Sequence, residues 1–131
     1  SKGVLRGLHY QLSSFSQAKL IRVIDGVILD VAVDIRRSSN TFGKHVAVEL
    51  SGENKHQLFI PRGFAHGFLV LSDFATVVYK LDNYYAPTQE RGIAFDDVKL
   101  DINWRLTSKE FKLSDKDKKY PILSDATEIF D

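Results

Sequence analysis

From Lys19 to Leu81 apolar and polar residues alternate with a period of two, the pattern of half-buried strands. Lys19–Ile24 and Val27–Ile35 flank Asp25-Gly26, a strong two-residue hairpin signal. Val46–Leu50 ends at Ser51-Gly52, and Gln57–Ile60 ends at Pro61-Arg62-Gly63. Ala65–Val70 and Ala75–Leu81 form a second candidate hairpin across Leu71-Ser72-Asp73-Phe74. Short strands separated by frequent turn signals predict an all-β antiparallel sandwich or barrel. Ser108–Lys119 is the one candidate helix, and its five lysines against three acids read as a solvated face, so the tail is expected to be short and helical or irregular. No repeat, low-complexity tract or linker divides the 131 residues, which predicts a single domain over 1–131.

Register arithmetic places polar residues within this pattern. If Asp25-Gly26 is a two-residue loop, paired positions put Lys19 opposite Ala32, Ile21 opposite Asp30 and Gln17 opposite Asp34. Lys19, Asp30 and Asp34 then share one face. The other face carries Leu20, Arg22, Ile24, Val27, Leu29, Val31 and Val33, and is expected to pack against a second sheet. A loop centred between Ser72 and Asp73 sets His66 opposite Tyr79 and Phe68 opposite Val77.

Composition narrows the function. Lys plus Arg numbers 18 against 17 for Asp plus Glu, which lacks the basic excess of a nucleic-acid binder. With no cysteine, disulfide scaffolds and thiolate metal sites are excluded. No apolar run approaches the roughly 18 residues of a membrane span. A cytoplasmic setting is expected. The chain opens on Ser1-Lys2-Gly3 and contains no Met, so this is not read as a native beginning.

Of the four histidines, His45 and His56 sit beside lysines near turns and read as surface. His9 lies in Arg6-Gly7-Leu8-His9-Tyr10-Gln11, and His66 in Pro61-Arg62-Gly63-Phe64-Ala65-His66. Taken singly, either is a hydrogen-bonded structural histidine, Tyr79 a core ring with a tethered hydroxyl, and Lys19 a solvated or carboxylate-paired strand lysine. Together a base, a phenol, a lysine and carboxylates on strands suit proton abstraction next to a carbonyl. Histidine holds a base near neutral pH, tyrosine can deliver a proton, and an ammonium stabilises an enolate oxygen.

The run Pro61 to His66 resembles the second motif of cupins, P-x-G-x-x-H. The first motif of metal-binding cupins carries a pair of histidines and a following Glu, whereas this chain has His9-Tyr10-Gln11, so no metal is expected. Further runs, Gly3 to Gln11, Leu29 to Arg36, Thr41 to Lys44, Gln57 to Pro61, Gly63 to Phe68, Tyr84 to Pro87 and Leu113 to Asp117, resemble the dTDP-4-dehydrorhamnose 3,5-epimerase family in order along nearly the whole chain. The resemblance implies a cupin-type jelly roll, a cofactor-free isomerase and a homodimer acting on dTDP-4-dehydro-6-deoxy-D-glucose. It implies His9 as base, Asp117 as its orienting carboxylate, Lys19 at the enolate oxygen and Tyr79 as acid on the opposite sugar face. His66 and Asp30 would line the sugar pocket, Arg6 and Lys116 would meet the diphosphate, Glu90 would be a further substrate contact, and Tyr85 would stack on the thymine.

One departure qualifies this expectation. Members of the family carry an N-terminal segment with an Asp-x-Arg-Gly-x-Phe-x-Glu run that reaches the substrate, partly across the dimer. That run is not in this sequence, so nucleotide binding and full activity are conditional on it. Rival readings are a relative that inverts only C3 or C5 or moves the ketone, a non-catalytic sugar-nucleotide-binding module, and a metal-dependent cupin oxygenase.

Overall fold

Segments rich in β-branched, leucyl and aromatic residues form eight strands in the computed structural model, which describes residues 1–131. They are β1 (Leu5–Gln11), β2 (Lys19–Asp25), β3 (Val27–Asp34), β4 (His45–Ser51), β5 (Gln57–Ile60), β6 (Phe64–Val70), β7 (Thr76–Leu81) and β8 (Glu90–Gly92). Every strand pair is antiparallel. A five-stranded sheet runs β4-β3-β6-β1-β8, and a three-stranded sheet runs β5-β2-β7. The architecture is the expected all-β jelly roll. No helix is long and apolar enough to cross a membrane.

The boundaries of β2 to β7 follow the sequence pattern, β1 and β8 lie outside the stretch read as alternating, and both expected hairpins are corrected. β2 pairs with β5 and β7, whereas β3 pairs with β4 and β6, so Asp25-Gly26 carries the chain from one sheet to the other. β6 and β7 part in the same way at Leu71–Ala75. The two corners pack on each other. The Val27 N–H donates to Ser72 Oγ at 2.8 Å, the Leu71 N–H donates to Val27 O at 2.9 Å, and a Cβ on Gly26 (φ +87°) would stand 2.1 Å from Phe74 O. A turn dipeptide specifies a reversal of direction; whether the returning strand pairs or crosses depends on what else is available to pair.

The core has two layers. Ile21, Val23, Ile28, Ala32, Leu50, Ile60 and Val70 fill the space between the sheets. Leu29, Val31 and Val33 point out of the sandwich, yet they are fully buried because Leu100, Trp104, Leu123 and Ala126 from the C-terminal segment cover that face. The expected packing face of the first strand pair therefore divides. Leu29, Val31 and Val33 meet the C-terminal segment, while Arg22 and Ile24 on β2 face solvent.

Ser108–Lys119 forms no helix. It makes single 3-10 turns at Ser108–Glu110 and Lys116–Lys118 on an otherwise irregular path. Its backbone is bound to the N-terminal strand instead: the Leu5 N–H donates to Lys112 O at 3.1 Å, and the Lys112 N–H donates to Gly3 O at 2.7 Å. Phe111 and Leu113 are spent on the core, which leaves no continuous apolar stripe at helical spacing.

Candidate active site

Alternation along β1 and β6 turns Leu8, Ala65 and Leu69 outward and His9, His66 and Phe68 toward the smaller sheet. His9 and His66 stand side by side as register partners. From the facing sheet, Lys19 and Ile21 on β2 and Val77, Tyr79 and Leu81 on β7 project into the same space. The result is a cavity of about 190 Å³ between the two sheets, whose wall also takes in Gln17, Tyr85 and Glu90. Pockets that engulf a whole drug-sized ligand run to about 300–1,000 Å³, so this one seats a single ring and leaves the remainder of a larger ligand along the rim.

Each imidazole in the cavity is backed by a buried carboxylate. His9 Nε2 lies 2.5 Å from Asp117 Oδ1, across 108 positions of sequence, and His66 Nε2 lies 2.6 Å from Asp30 Oδ1. Both carboxylates are wholly out of solvent, and the second oxygen of each has no hydrogen-bond partner. With Nε2–H donated to an anion, Nδ1 is the free basic nitrogen of each ring. Burial lowers the pKa of His66 against the opposing pull of Asp30, and Lys19 and His9 lower it further, which favours a neutral ring.

Lys19 is likewise lowered by burial, with Asp30 and then Glu90 opposing the shift. A poorly hydrated ammonium on the cavity wall is suited to meet a negatively charged oxygen. Tyr79 and Tyr85 stand at the rim with 59% and 60% of their surfaces exposed. Glu90 accepts a hydrogen bond from Lys116 Nζ at 2.5 Å, and this contact raises the Lys116 pKa.

Lys19, His9, His66, Tyr79, Tyr85 and Glu90 therefore share one cavity. The grouping of Lys19 with Asp30 and of His66 with Tyr79 survives for a different reason than strand pairing. His66 pairs with Ala32 and Tyr79 with Ile21; His66 and Tyr79 line one cavity from the two facing sheets, and the Asp30 charge acts on Lys19 from the opposite sheet. Asp30 and Asp117 lie behind the histidines and off the cavity wall. Lys116 is tied to the rim through Glu90. Arg6 is also off the wall, its Nη1 donating to Leu5 O at 2.9 Å and Lys112 O at 3.2 Å.

The sequence reading passed over the apolar wall of Ile21, Phe68, Val77 and Leu81, although the parity that faces Lys19, His66 and Tyr79 inward faces these inward too. It also passed over Tyr120, for which no local signal exists. The Tyr120 ring meets His9 edge-on, with centroids 5.6 Å apart and planes at 74°. It lies over Gly92, the register partner of His9, where a Cβ would stand 2.5 Å from the ring. Burial pushes the Tyr120 phenol up to about 12. No cluster of three or more His, Cys, Asp or Glu side chains is placed to hold a metal ion. Nε2 of each cavity histidine is already engaged by a carboxylate.

Comparison with known proteins places this geometry. Residues 1–125 match the family model described as dTDP-4-dehydrorhamnose 3,5-epimerase. The dTDP-4-dehydrorhamnose 3,5-epimerase of Shigella flexneri is 59% identical over 117 residues, which are 89% of this chain and 64% of that protein. The chain thus spans somewhat less than two thirds of the length of that relative. The crystal structure of dTDP-6-deoxy-D-glucose-3,5-epimerase from Legionella pneumophila, in complex with dTDP-4-keto-L-rhamnose, superposes with a TM-score of 0.92 at 52% identity, covering 96% of this chain and 66% of that one. A 3′-monoepimerase from Streptomyces bikiniensis, in complex with dTDP-quinovose, superposes with a TM-score of 0.86 at 36% identity, covering 94% of this chain and 62% of that one. A matched model over nearly the full chain and close relatives in sequence and structure make this chain a member of the dTDP-4-dehydrorhamnose 3,5-epimerase family.

Proposed function

We propose that this chain inverts C3 and C5 of dTDP-4-dehydro-6-deoxy-D-glucose, yielding dTDP-4-dehydro-L-rhamnose. The observation that carries the reading is the carboxylate-backed base His9 facing Lys19 and Tyr79 across one ring-sized cavity. The C4 ketone acidifies the hydrogens on both neighbouring carbons, so one base and one oxyanion site serve both. His9 removes the proton, with Asp117 holding the tautomer and balancing the imidazolium that forms. The electron pair of the broken C–H bond moves onto the C4 oxygen, where the Lys19 ammonium stabilises the enolate. Collapse of the enolate takes a proton from the Tyr79 hydroxyl on the opposite face, which inverts the carbon. Solvent then restores the phenol and relieves His9 of its proton. No electron leaves the substrate, so the balance closes without an oxidant or reductant.

His66, held by Asp30, lines the sugar pocket. Arg6 and Lys116 would take the diphosphate end, Glu90 would be a further substrate contact, and Tyr85 would stack on the thymine. Family membership also supports a homodimer working in the cytoplasm. A single-centre epimerase is the second reading, favoured by the fold shared with the monoepimerase of S. bikiniensis.

Proton NMR of dTDP-4-dehydro-6-deoxy-D-glucose with the protein in heavy water separates these readings. Deuterium at C3 and C5 with formation of the rhamno product supports the double inversion. Label confined to one carbon gives the single-centre enzyme. No label at either carbon overturns the catalytic reading and leaves a binding module.

A further inference from the structure

Gln11 stands two residues beyond His9 on β1, and its side chain is buried, with 5% of the residue exposed. All of its hydrogen bonds go to backbone. Nε2 donates to Phe15 O at 2.6 Å and to Tyr84 O at 3.0 Å, and Oε1 accepts from the Ala86 N–H at 2.8 Å. Asn83 ties the same two segments from the other side. Its Nδ2 donates to Ser14 O and Ser16 O, both at 3.3 Å, while its Oδ1 accepts from the Tyr84 N–H at 2.8 Å. Gln17 Nε2 adds a bond to Asn83 O at 2.9 Å. Apart from the short 3-10 turn at Ser13–Phe15, neither 12–18 nor 82–86 has regular structure. Side-chain amides supply the order that a ladder would supply elsewhere.

Between the two Gln11 contacts on that loop stands Tyr85, on the cavity wall and 60% exposed. We propose that Gln11 is a positioning residue that holds Tyr85 as a preformed stacking platform for the planar base of a nucleotide ligand, linking the base end of the site to the strand that carries His9. This rests on the function proposed above, which supplies the nucleotide. An irregular loop left free would lose conformational freedom on binding, whereas a clamped one has already lost it on folding, so the clamp acts on affinity. The amide suits this task because one side chain gives two donors and an acceptor in a fixed plane.

The test is calorimetric titration with dTDP together with steady-state kinetics for wild type, Gln11→Leu and Asn83→Ala, the last retaining the buried residue and cutting the tether from its opposite side. We expect Gln11→Leu to raise the Kd for dTDP and KM by about tenfold, with kcat within about twofold of wild type, and the Ala86 amide to lose hydrogen-exchange protection. If Gln11→Leu fails to fold, Asn83→Ala decides, with the same KM-against-kcat split expected. In a Tyr85→Ala background, Gln11→Leu should add nothing further to Kd; additive losses overturn the proposal, as does a fall in kcat at constant KM. Wild-type binding with unaltered affinity in both variants overturns it while the functional reading stands. Failure of the wild-type chain to bind dTDP overturns that reading, and this inference with it.

Discussion

At the scale of single residues, the contact between His9 and Asp117 joins positions 108 apart and determines which imidazole nitrogen is free to act. His9→Asn should abolish deuterium wash-in at both carbons, a loss on the order of 10²–10⁴-fold for removal of a general base. Asp117→Asn keeps the side-chain volume and removes the charge, so exchange should slow at both carbons as well. Normal exchange in that variant would break the dyad. Tyr79 poses a different question because it faces the histidines from the other sheet. Tyr79→Phe deletes only a hydroxyl from a residue that is 59% exposed, so the fold should survive. His9 can then remove a proton and return a deuteron to the same face, and NMR should show label wash-in outlasting net epimerisation. A parallel loss of both would assign Tyr79 to positioning the sugar, and undiminished epimerisation would point to another proton donor.

At the scale of elements, the site exists because two corners carry the chain between sheets where hairpins would have kept it within one. Gly26 stands at the contact between those corners. Its φ of +87° and the 2.1 Å approach of Phe74 O to a Cβ placed there oppose any side chain. Gly26→Ala should therefore destabilise by more than about 1 kcal/mol, the scale at which a side chain is forced into left-handed backbone. Urea denaturation should show a lower midpoint with an unchanged slope. A midpoint equal to wild type would mean that the corners give way easily. The strand boundaries were legible because a period of two needs only local residues. The partners were not legible, since alternation along β2 is the same whether it pairs with β3 or with β5 and β7; the partners also decided that Lys19, Ile21 and Val23 face inward and Arg22 and Ile24 outward.

At the scale of the whole molecule, buried ionisable groups link stability to pH. Burial would raise the Asp34 carboxyl, but hydrogen bonds from Arg36, Ser39 and Thr41 outweigh it and hold the group well below the usual range. An unfolded Asp binds its proton near pH 3.9 and the folded one only in stronger acid, so between those values the unfolded state binds more protons. Stability rises with pH through that window. The Asp34 contribution is complete above about pH 4 and lost as pH falls toward the folded value. His66, held down by burial, acts in the same direction in a higher window, costing stability as pH drops below about 6.5. Thermal melts should show a shallow decline below about pH 6.5 and a steeper one below about pH 4. Asp34→Asn should lower Tm near pH 7 and flatten the acid limb. An acid limb as steep as that of wild type would remove Asp34 from this account.

What the sequence determined by itself is local: the extents of β2 to β7, the turn positions and the residue types able to do proton chemistry. Those follow from alternation and turn dipeptides, which act over a few residues, and the family motifs added roles that no periodicity contains. The tertiary structure alone decided which strands pair, and so that Lys19 and Tyr79 face His66 from the opposite sheet and not from a neighbouring strand. It also decided the fate of the C-terminal segment. Read locally, Ser108–Lys119 is a charged and solvated stretch; folded, it buries Asp117 against His9, while Tyr120 just beyond it packs over Gly92. A carboxylate gains such a place only when a partner 108 positions away presents the hydrogen to receive it, and no window along the chain contains both.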